Sequence, residues 1–402
     1  MPSTLTWIDH DAAARERALR ILSLFHEKDS REELGLGAIR DSFADKLFPG
    51  TSTIQTRLRY MLFVPWVYTE LERKRVLPPA FAERARRMET DLIAPLLESL
   101  DRSGVFGKVA GKSVKRLPSS VYWNGLRMWG IRRVDCSQDE YHSHVDKLYE
   151  HLDASSGEGE GNNGFSVWHP RLPDPPEGFP NGIDNLSFNL GPEESSFLLD
   201  RIMESHGESL LALLARNCEP VDCEFPWNHP ERGRFSSDHV LLLDYAEFFS
   251  VIMQGAAFLY NLMLAELSKQ KELKDKHREN LSKWKTLLEN CQHTDLHLGE
   301  LWEVIEGSGY TITRQAKVFV SAWHRCALKT GGKVTDDLES RVLVRNRERH
   351  LKGARSRFFS TKALERWGGY AGVKRMDYRW GNVKILLSDL RAGLSGGNDA
   401  VS

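Results

Sequence analysis

The chain has 402 residues, of which 41% are hydrophobic and 28% are charged, and its formal net charge is −1. This length and composition exclude a chain that is disordered throughout, and they predict a soluble globular protein of two or three domains. Apolar runs such as "MLFVPWVY", Met61 to Tyr68, are far shorter than the roughly 20 residues of a membrane span, so no membrane partner is expected. The acidic N-terminal stretch does not resemble a signal peptide, and the odd number of five cysteines indicates free thiols. A cytoplasmic location is therefore predicted.

Charge is strongly segregated along the chain, although the total is close to zero. Residues 102–133 contain eight Lys or Arg and no Asp or Glu, and residues 309–392 contain 19 basic and 7 acidic residues. Between these blocks, residues 134–232 contain 5 basic and 20 acidic residues. Two basic blocks favour a polyanionic partner, and DNA is the predicted one. The alternative is that the acidic block neutralises the basic blocks inside the fold.

The N-terminal part of the chain is predicted to be helical. Apolar residues recur at intervals of three and four in residues 12–28 and again through "GAIRDSFADKLF", residues 37–48. Pro49 and Gly50 are expected to end the second of these helices.

The hydroxyl-rich stretch "TSTIQTRLR", Thr51 to Arg59, is predicted to begin a third helix, which Pro65 would end or kink. In that helix Ile54 would face the core while Gln55 would face away from it. Free amides at a helix N-terminus attract anions, and the neighbouring hydroxyls could add donors to a phosphate. Simple capping of the helix is the alternative. The candidate nucleic-acid contacts of this stretch are Thr51, Ser52, Thr53, Gln55, Arg57 and Arg59.

A basic loop and a pair of helices are predicted next. The loop "GKVAGKS" is one residue short of a phosphate-binding P-loop and follows a helical pattern, so ATP hydrolysis is excluded. A helix through "LPSSVYWNGLRMWGI" is expected to stop at Gly130, and the capping-box pattern from Ser137 to Glu140 starts another. Together they resemble a helix-turn-helix unit near residues 117–152, a pattern shared with many helical hairpins. The candidate phosphate contacts of the loop are Lys108, Lys112, Lys115 and Arg116.

The remaining organisation is also helical. Pro192 is placed at the first position of a helix, and the apolar stretch that begins "DHVLLLDYAEFF" predicts a central buried helix, bent or closely packed at Gly255 and continuing into a charged helix. The fold class is therefore mainly α, multi-helical, in two lobes. The predicted segments are an N-terminal helical domain at 1–152 with the basic loop 102–133, a Pro-rich linker at 153–180, a helical core domain at 181–308, a basic helical region at 309–392 and a flexible tail at 393–402.

The C-terminal basic block carries the strongest functional pattern. Its first four selected cations recur at i, i+4, i+8 and i+11, which places them on one stripe of a helix. Further cations follow, interleaved with aromatic residues that could stack on bases while the cations bind phosphates. The alternative is that the aromatic residues form a local core and the cations pair with acidic residues. The candidate nucleic-acid contacts of this block are Arg341, Arg345, Arg349, Lys352, Arg355 and Arg357.

Two groups of potential metal ligands lack a complete standard spacing, so no metal and no cofactor is assigned. Standard catalytic motifs do not occur either, and no catalytic residue is assigned, which favours a protein that is not an enzyme. A nuclease with an unrecognised metal-carboxylate site stays open as an alternative. The potential ligands are Cys218, Cys223 and His229, and Cys291, His293, Asp295 and His297.

Two stretches, "LGLGAIRDSFADKLFPGTSTIQTRLRYMLFVPWVY" and "SVYWNGLRMWGIRR", resemble hallmark segments of the bacterial domain-of-unknown-function family 6361. The resemblance extends over most of the chain and implies a genomic association with antiphage defence, alongside helicases, methyltransferases and phospholipase-D-like proteins. It supplies no catalytic residues. The resulting expectation is a non-catalytic DNA-binding component of a bacterial defence or DNA-processing system, with protein partners from that system. An assembly adaptor that does not contact nucleic acid is the main alternative.

Overall fold

The structure is a computed structural model, and it describes residues 33–156, 166–180, 186–217, 221–291, 297–306 and 310–396. These ranges are predominantly helical and contain no β-strand, which confirms the predicted mainly α fold. A single isolated bridge pairs Arg132 with Trp168. The helix predicted for residues 12–28 lies outside the described residues.

The α-helices are named in chain order within the described ranges. They are α1 Gly37–Leu47, α2 Tyr60–Arg73, α3 Pro78–Asp91, α4 Ile93–Glu98, α5 Pro118–Met128, α6 Gln138–Ser143, α7 Val145–Ser156, α8 Pro192–His206, α9 Leu210–Asn217, α10 Ser237–Leu267, α11 Lys271–Glu289, α12 Leu298–Ile305, α13 Arg314–Lys329, α14 Leu338–Lys352, α15 Thr361–Glu365 and α16 Trp380–Leu394. Short 3-10 turns lie at Gly111–Ser113, Pro226–Asn228, Arg232–Arg234 and Gly353–Arg355.

The described residues divide into two compact units, each assembled from separate parts of the chain. Residues 33–43 and Leu241–Tyr378 form one unit, and Ala44–Val240 together with residues 379–396 forms the other. We call them the first and the second unit. The predicted lobes and domains are consecutive segments of the chain, and they stay a prediction.

The first unit is built around α10, which is buried along nearly its whole length. By length and composition α10 could cross a membrane, but 89% of its most apolar window is buried, consistent with the core of a soluble protein. A Cβ added at Gly255 would overlap the Trp284 indole, and the Trp284 Nε1–H donates to the Val251 carbonyl at 2.8 Å. The predicted close packing at Gly255 is therefore confirmed.

The charged helix predicted after α10 is confirmed as α11, but its predicted continuity with α10 is wrong. α10 ends at Leu267, and α11 begins at Lys271. Lys269 lies between them in the left-handed region, with φ of 57°, and the amide of Gln270 donates to the Ala265 carbonyl at 3.0 Å. This local hydrogen bond satisfies a terminal carbonyl of α10 and turns the chain out of the helix.

The second unit has an aromatic core to which α2, α5 and α6 contribute Tyr68, Tyr122 and Tyr141, all at most 1% exposed. The predicted capping box is confirmed, because the Ser137 side chain accepts the Glu140 amide while the Glu140 carboxylate accepts the Ser137 amide. Gly130 ends the turn after α5 with φ of 65°, as predicted. The helix-turn-helix-like unit near residues 117–152 stays a prediction.

Pro65 does not end α2, contrary to one of the two outcomes predicted for it. The helix extends through Pro65 to Arg73, and every residue from Tyr60 to Tyr68 is buried. Apolar packing on all sides of this segment compensates for the backbone hydrogen bond that a proline cannot donate.

Candidate nucleic-acid interface

The stretch Thr51 to Arg59 is not a helix start, so that prediction is wrong. α2 begins only at Tyr60, and the preceding residues form turns whose polar groups bond to one another. The Thr51 hydroxyl donates to the Phe48 carbonyl at 2.6 Å, and the side-chain amide of Gln55 donates through Nε2 to the Gly50 carbonyl at 3.1 Å. No row of free helix amides is available here to bind a phosphate.

The predicted orientation of this stretch is also wrong. Gln55 is 1% exposed, whereas Ile54 is 40% exposed, because the residues do not follow a helical period. The Ser52 amide donates to Gln55 Oε1 at 3.1 Å, and the Thr56 amide donates to the hydroxyl of Tyr122 at 2.9 Å. Thr53 is exposed. The stretch is thus held by its own side chains and by a tyrosine 66 positions away.

Arg57 and Arg59 form ion pairs inside the second unit. The Arg57 guanidinium binds Asp389 at 2.8 Å and also pairs with Asp101. Burial raises the pKa of Asp389, although hydrogen bonds from Arg57 oppose that shift. Arg59 binds Glu194 at 2.7 Å and donates to the Ser187 carbonyl at 2.9 Å. Both arginines are committed to neighbouring groups, so we do not include them in the candidate interface.

Some residues of the acidic block do neutralise cations within the second unit. Glu194 pairs with Arg59, and Asp222 pairs with Lys384 at 2.8 Å. Lys384 belongs to the C-terminal basic block, so its pair agrees with the alternative in which the acidic block neutralises the basic blocks. Arg59 lies outside both basic blocks.

The basic loop is anchored at several points. The Thr56 hydroxyl donates to the Gly104 carbonyl at 2.7 Å, and the Phe106 amide donates to the Tyr60 hydroxyl at 3.1 Å. Arg86 of α3 donates to the Val114 carbonyl at 2.7 Å. These bonds attach the loop backbone to α2, to the residues before α2 and to α3.

Three of the four cations predicted in this loop are exposed without a carboxylate partner among the described residues. They are Lys108, Lys115 and Arg116, and we call them the loop surface. The fourth, Lys112, binds Asp91 at 2.7 Å, but its side chain is 75% exposed. An ion pair this exposed contributes little to stability, so Lys112 could exchange its partner for a phosphate.

In the first unit, the basic helix predicted in the C-terminal block is confirmed as α14. The Asp337 carboxylate caps it by accepting the Ser340 amide at 2.8 Å. The first and last cations of the predicted stripe form ion pairs within the first unit: Arg341 pairs with Glu266, and Lys352 pairs with Glu33. These two cations help to hold the fold together.

Arg357 is also committed to the interior of the first unit. It pairs with Glu33 and donates to the Tyr260 hydroxyl at 2.9 Å. Although burial by itself would lower the pKa of Arg357, its hydrogen bonds to Glu33 and Tyr260 raise that pKa further above its usual value. Arg347, which the sequence pattern did not single out, is buried and donates to the carbonyls of Leu34 and Gly35.

The middle of the stripe is different, because its arginines are exposed beside phenylalanine rings. The Arg345 guanidinium carbon lies 5.9 Å from the centroid of Phe358, and that of Arg349 lies 4.6 Å from the centroid of Phe359. Arg355, in the turn that follows α14, is exposed as well. None of the three arginines pairs with a carboxylate in the described part of the chain. We call Arg345, Arg349, Arg355 and Phe359 the arginine surface.

A buried carboxylate positions the two phenylalanines. Glu348 is 0% exposed and accepts the Ser356 hydroxyl and the Arg357 amide, the latter at 2.8 Å. These bonds fold the chain back along α14 directly after the turn Gly353–Arg355. The sequence pattern indicates the cations but not this contact, because Phe359 meets Arg349 only after the chain reverses.

The potential metal ligands do not assemble in the described part of the chain. No group of three or more His, Cys, Asp or Glu residues there could hold a metal ion. Cys218, His293 and Asp295 lie outside the described residues. The Cys223 thiol donates to the Phe225 carbonyl at 3.3 Å, and His229 packs against the ring of Phe235.

Comparison with known proteins gives a family but no function. A family profile described as "Family of unknown function (DUF6361)" matches residues 2–393, which is nearly the whole chain. No curated protein and no solved structure matches the chain. The family resemblance noted in the sequence is confirmed, and the chain belongs to this family of unknown function.

Proposed function

We propose that the chain is a non-catalytic nucleic-acid-binding protein, with DNA as its partner, that acts in the cytoplasm in a bacterial antiphage defence or DNA-processing system. One observation carries the proposal: the arginine surface presents three exposed arginines that have no carboxylate partner among the described residues, and one of them, Arg349, lies beside the exposed ring of Phe359. The family resemblance alone supplies the association with antiphage defence.

Exposed arginines of this kind suit a phosphate backbone. A guanidinium is always charged at neutral pH and can donate two parallel hydrogen bonds to one phosphate. Binding releases counterions that are condensed on the nucleic acid, and this release favours the complex at low salt. Arg345 and Arg349 are separated by one turn of α14, about 6 Å along its axis, so each can bind a separate phosphate.

The loop surface is a second cationic patch, in the second unit. Its three exposed side chains project from an anchored backbone, so binding a phosphate would cost little loop ordering. Lys108, Lys115 and Arg116 are therefore proposed as additional backbone contacts. They would add affinity without reading sequence.

An assembly adaptor is the second candidate function, and exposed apolar side chains of α13 and α14 favour it. Val318 is 60% exposed, Leu338 is 74% exposed and Val342 is 40% exposed. Apolar groups at a surface favour contact with another protein. Copurification of a stoichiometric partner that survives nuclease treatment and high salt would support this function.

The test of DNA binding is fluorescence anisotropy of the full chain with labelled DNA, from about 50 to 200 mM salt. The variant is Arg345→Glu together with Arg349→Glu. The matched control is Arg216→Glu together with Lys271→Glu, which reverses two exposed charges on other helices. We expect the first pair to weaken binding at least about tenfold and to flatten the salt dependence, while the control stays close to wild type.

Thermal unfolding of the same proteins separates binding from folding. The selected arginines are exposed, so we expect a change in Tm of no more than about 2 °C. A large fall in Tm would assign Arg345 and Arg349 a structural role. Absence of DNA binding by the wild-type chain even at low salt would refute the proposal and leave the adaptor function as the better candidate.

A further inference from the structure

We propose that the arginine surface selects single-stranded nucleic acid over duplex, with Phe359 as the side chain on which an unpaired base stacks. This inference rests on the proposed function and names the substrate class of the same surface. It depends on the exposure of Phe359, on its contact with Arg349, and on the hydrogen bonds of the turn that carries it.

Phe359 is unusually placed for an aromatic side chain. It is 58% exposed, although an aromatic side chain normally gains free energy by burial. The Arg349 guanidinium carbon lies 4.6 Å from its ring centroid, so a cation and a π-face are presented together. A nucleotide combines a negative phosphate with a flat base, and this pair of side chains is complementary to both parts.

The strandedness of the ligand follows from what each form exposes. In a duplex the faces of the bases are covered by their neighbours, and only base edges and phosphates are accessible to a protein. An unpaired base exposes its face and can stack on an aromatic ring. Duplex DNA would therefore bind the arginines but leave Phe359 unused.

The turn around Phe359 is already ordered, which lowers the entropic cost of stacking. The amide of Phe359 donates to the Ser356 carbonyl at 3.2 Å, and the amide of Ser360 donates to the same carbonyl at 2.9 Å. Ser356 is 0% exposed, and its hydroxyl donates to the buried Glu348 carboxylate. Ser360 in turn caps α15 by accepting the Ala363 amide at 3.2 Å.

The other exposed arginines would bind the backbone on either side of the stacked base. Arg345 lies one helical turn before Arg349, and Arg355 lies in the turn that leads to Phe359. A ring face and guanidinium groups do not require a 2′-hydroxyl. Single-stranded DNA and single-stranded RNA therefore share the recognised chemistry, and the test includes both.

The experiment measures anisotropy of the full chain with labelled single-stranded DNA, single-stranded RNA and duplex DNA, each of about 16 nucleotides or base pairs. The variants are Phe359→Ala, which removes the stacking ring, and Phe359→Trp, which keeps one. Leu338→Ala is the matched control, because it truncates another exposed apolar side chain, on α14. Tm values establish that each variant is folded.

We expect wild type to bind single strands more tightly than duplex. Phe359→Ala should weaken single-strand binding at least about fivefold and leave duplex binding nearly unchanged. Phe359→Trp should bind single strands at least as tightly as wild type, and Leu338→Ala should behave like wild type.

Two results would overturn the inference and leave the proposed function intact. One is equal binding of single-stranded and duplex DNA that Phe359→Ala does not change. The other is an equal loss for both ligands in Phe359→Ala, which would show that the ring only supports the arginines. If wild type binds no nucleic acid at all, both the inference and the proposed function fail.

Discussion

The buried carboxyl group of Glu89 is predicted to make the protein less stable as the pH rises. Glu89 lies in α3 and is 3% exposed. One of its oxygens accepts the Ser119 amide at 2.7 Å, and the other has no hydrogen-bond partner among the described residues. Burial raises the pKa of Glu89 from 4.5 to about 7, although the hydrogen bonds from Ser119 oppose that shift.

The sign and size of the effect follow from proton linkage. Because the folded state holds its proton up to about pH 7 while the unfolded carboxyl ionises near pH 4.5, the folded state binds more protons between these values. Stability is therefore unaffected below the lower value, falls as pH rises between them, and is level again above the upper one. At about 1.4 kcal/mol per pKa unit, the loss between pH 5 and pH 8 is roughly 2 to 3 kcal/mol.

The perturbation that tests this is Glu89→Gln, which keeps an acceptor for the Ser119 amide but cannot ionise. The assay is urea unfolding between about pH 5 and pH 8, followed by tryptophan fluorescence. Glu83→Gln, at an exposed position of the same helix, is the control. We expect the free energy of unfolding of Glu89→Gln to fall by roughly 2 to 3 kcal/mol less than that of wild type over this pH range. An equal loss of free energy of unfolding in wild type and both variants over this range would show that Glu89 does not cause the pH dependence.

Three further substitutions test the packing and polar contacts of the two units by urea unfolding. Gly255→Ala should lower the free energy of unfolding by about 2 kcal/mol or more, because the added methyl overlaps the Trp284 indole. A variant as stable as wild type would show that this contact relaxes freely. Asn261→Leu should lower the free energy of unfolding by about 3 kcal/mol, because the Trp367 indole N–H loses the Asn261 acceptor that lies 2.9 Å away. Unchanged stability would contradict a stabilising role of this hydrogen bond. Asp389→Asn should lower the free energy of unfolding by about 3 kcal/mol, because it removes one of the two carboxylates that pair with the Arg57 guanidinium. Unchanged stability would show that Asp101 alone neutralises Arg57.

Several features that depend on neighbours in sequence agree with the predictions. The capping box at Ser137 and Glu140 and the proline at the first position of α8 use residues at most three positions apart. The helix pattern of residues 37–48 and the apolar stretch of α10 are periodic or continuous over many residues. In each case the backbone conformation follows from local hydrogen bonding or from the spacing of apolar side chains.

The candidate site was only partly predictable. The basic pattern treats four cations of α14 as equivalent. Arg341 and Lys352 bind carboxylates, whereas Arg345 and Arg349 pair with none among the described residues. The carboxylate that pairs with Lys352 belongs to Glu33, more than 300 positions away in sequence. No local pattern contains that information, because the pair forms only when the fold brings the two groups together.

The stretch Thr51 to Arg59 shows the same limit of local rules. Its hydroxyls and apolar spacing resemble a helix start, yet its conformation is set by Tyr122 and Asp389, which hydrogen-bond its backbone amides. A buried amide must find an acceptor, and a long-range partner that supplies one can outweigh local helical preference.

The sequence by itself determined the helical class, the main buried helix, the family and the position of the basic blocks, since these follow from periodicity, composition and segment similarity. Only the tertiary structure decided which cations remain exposed and which aromatic ring lies beside them. The physical reason is that a charge is neutralised by whatever lies within a few ångströms of it, and the chain folding that brings Glu33 to Arg357 and Phe359 to Arg349 sets those distances.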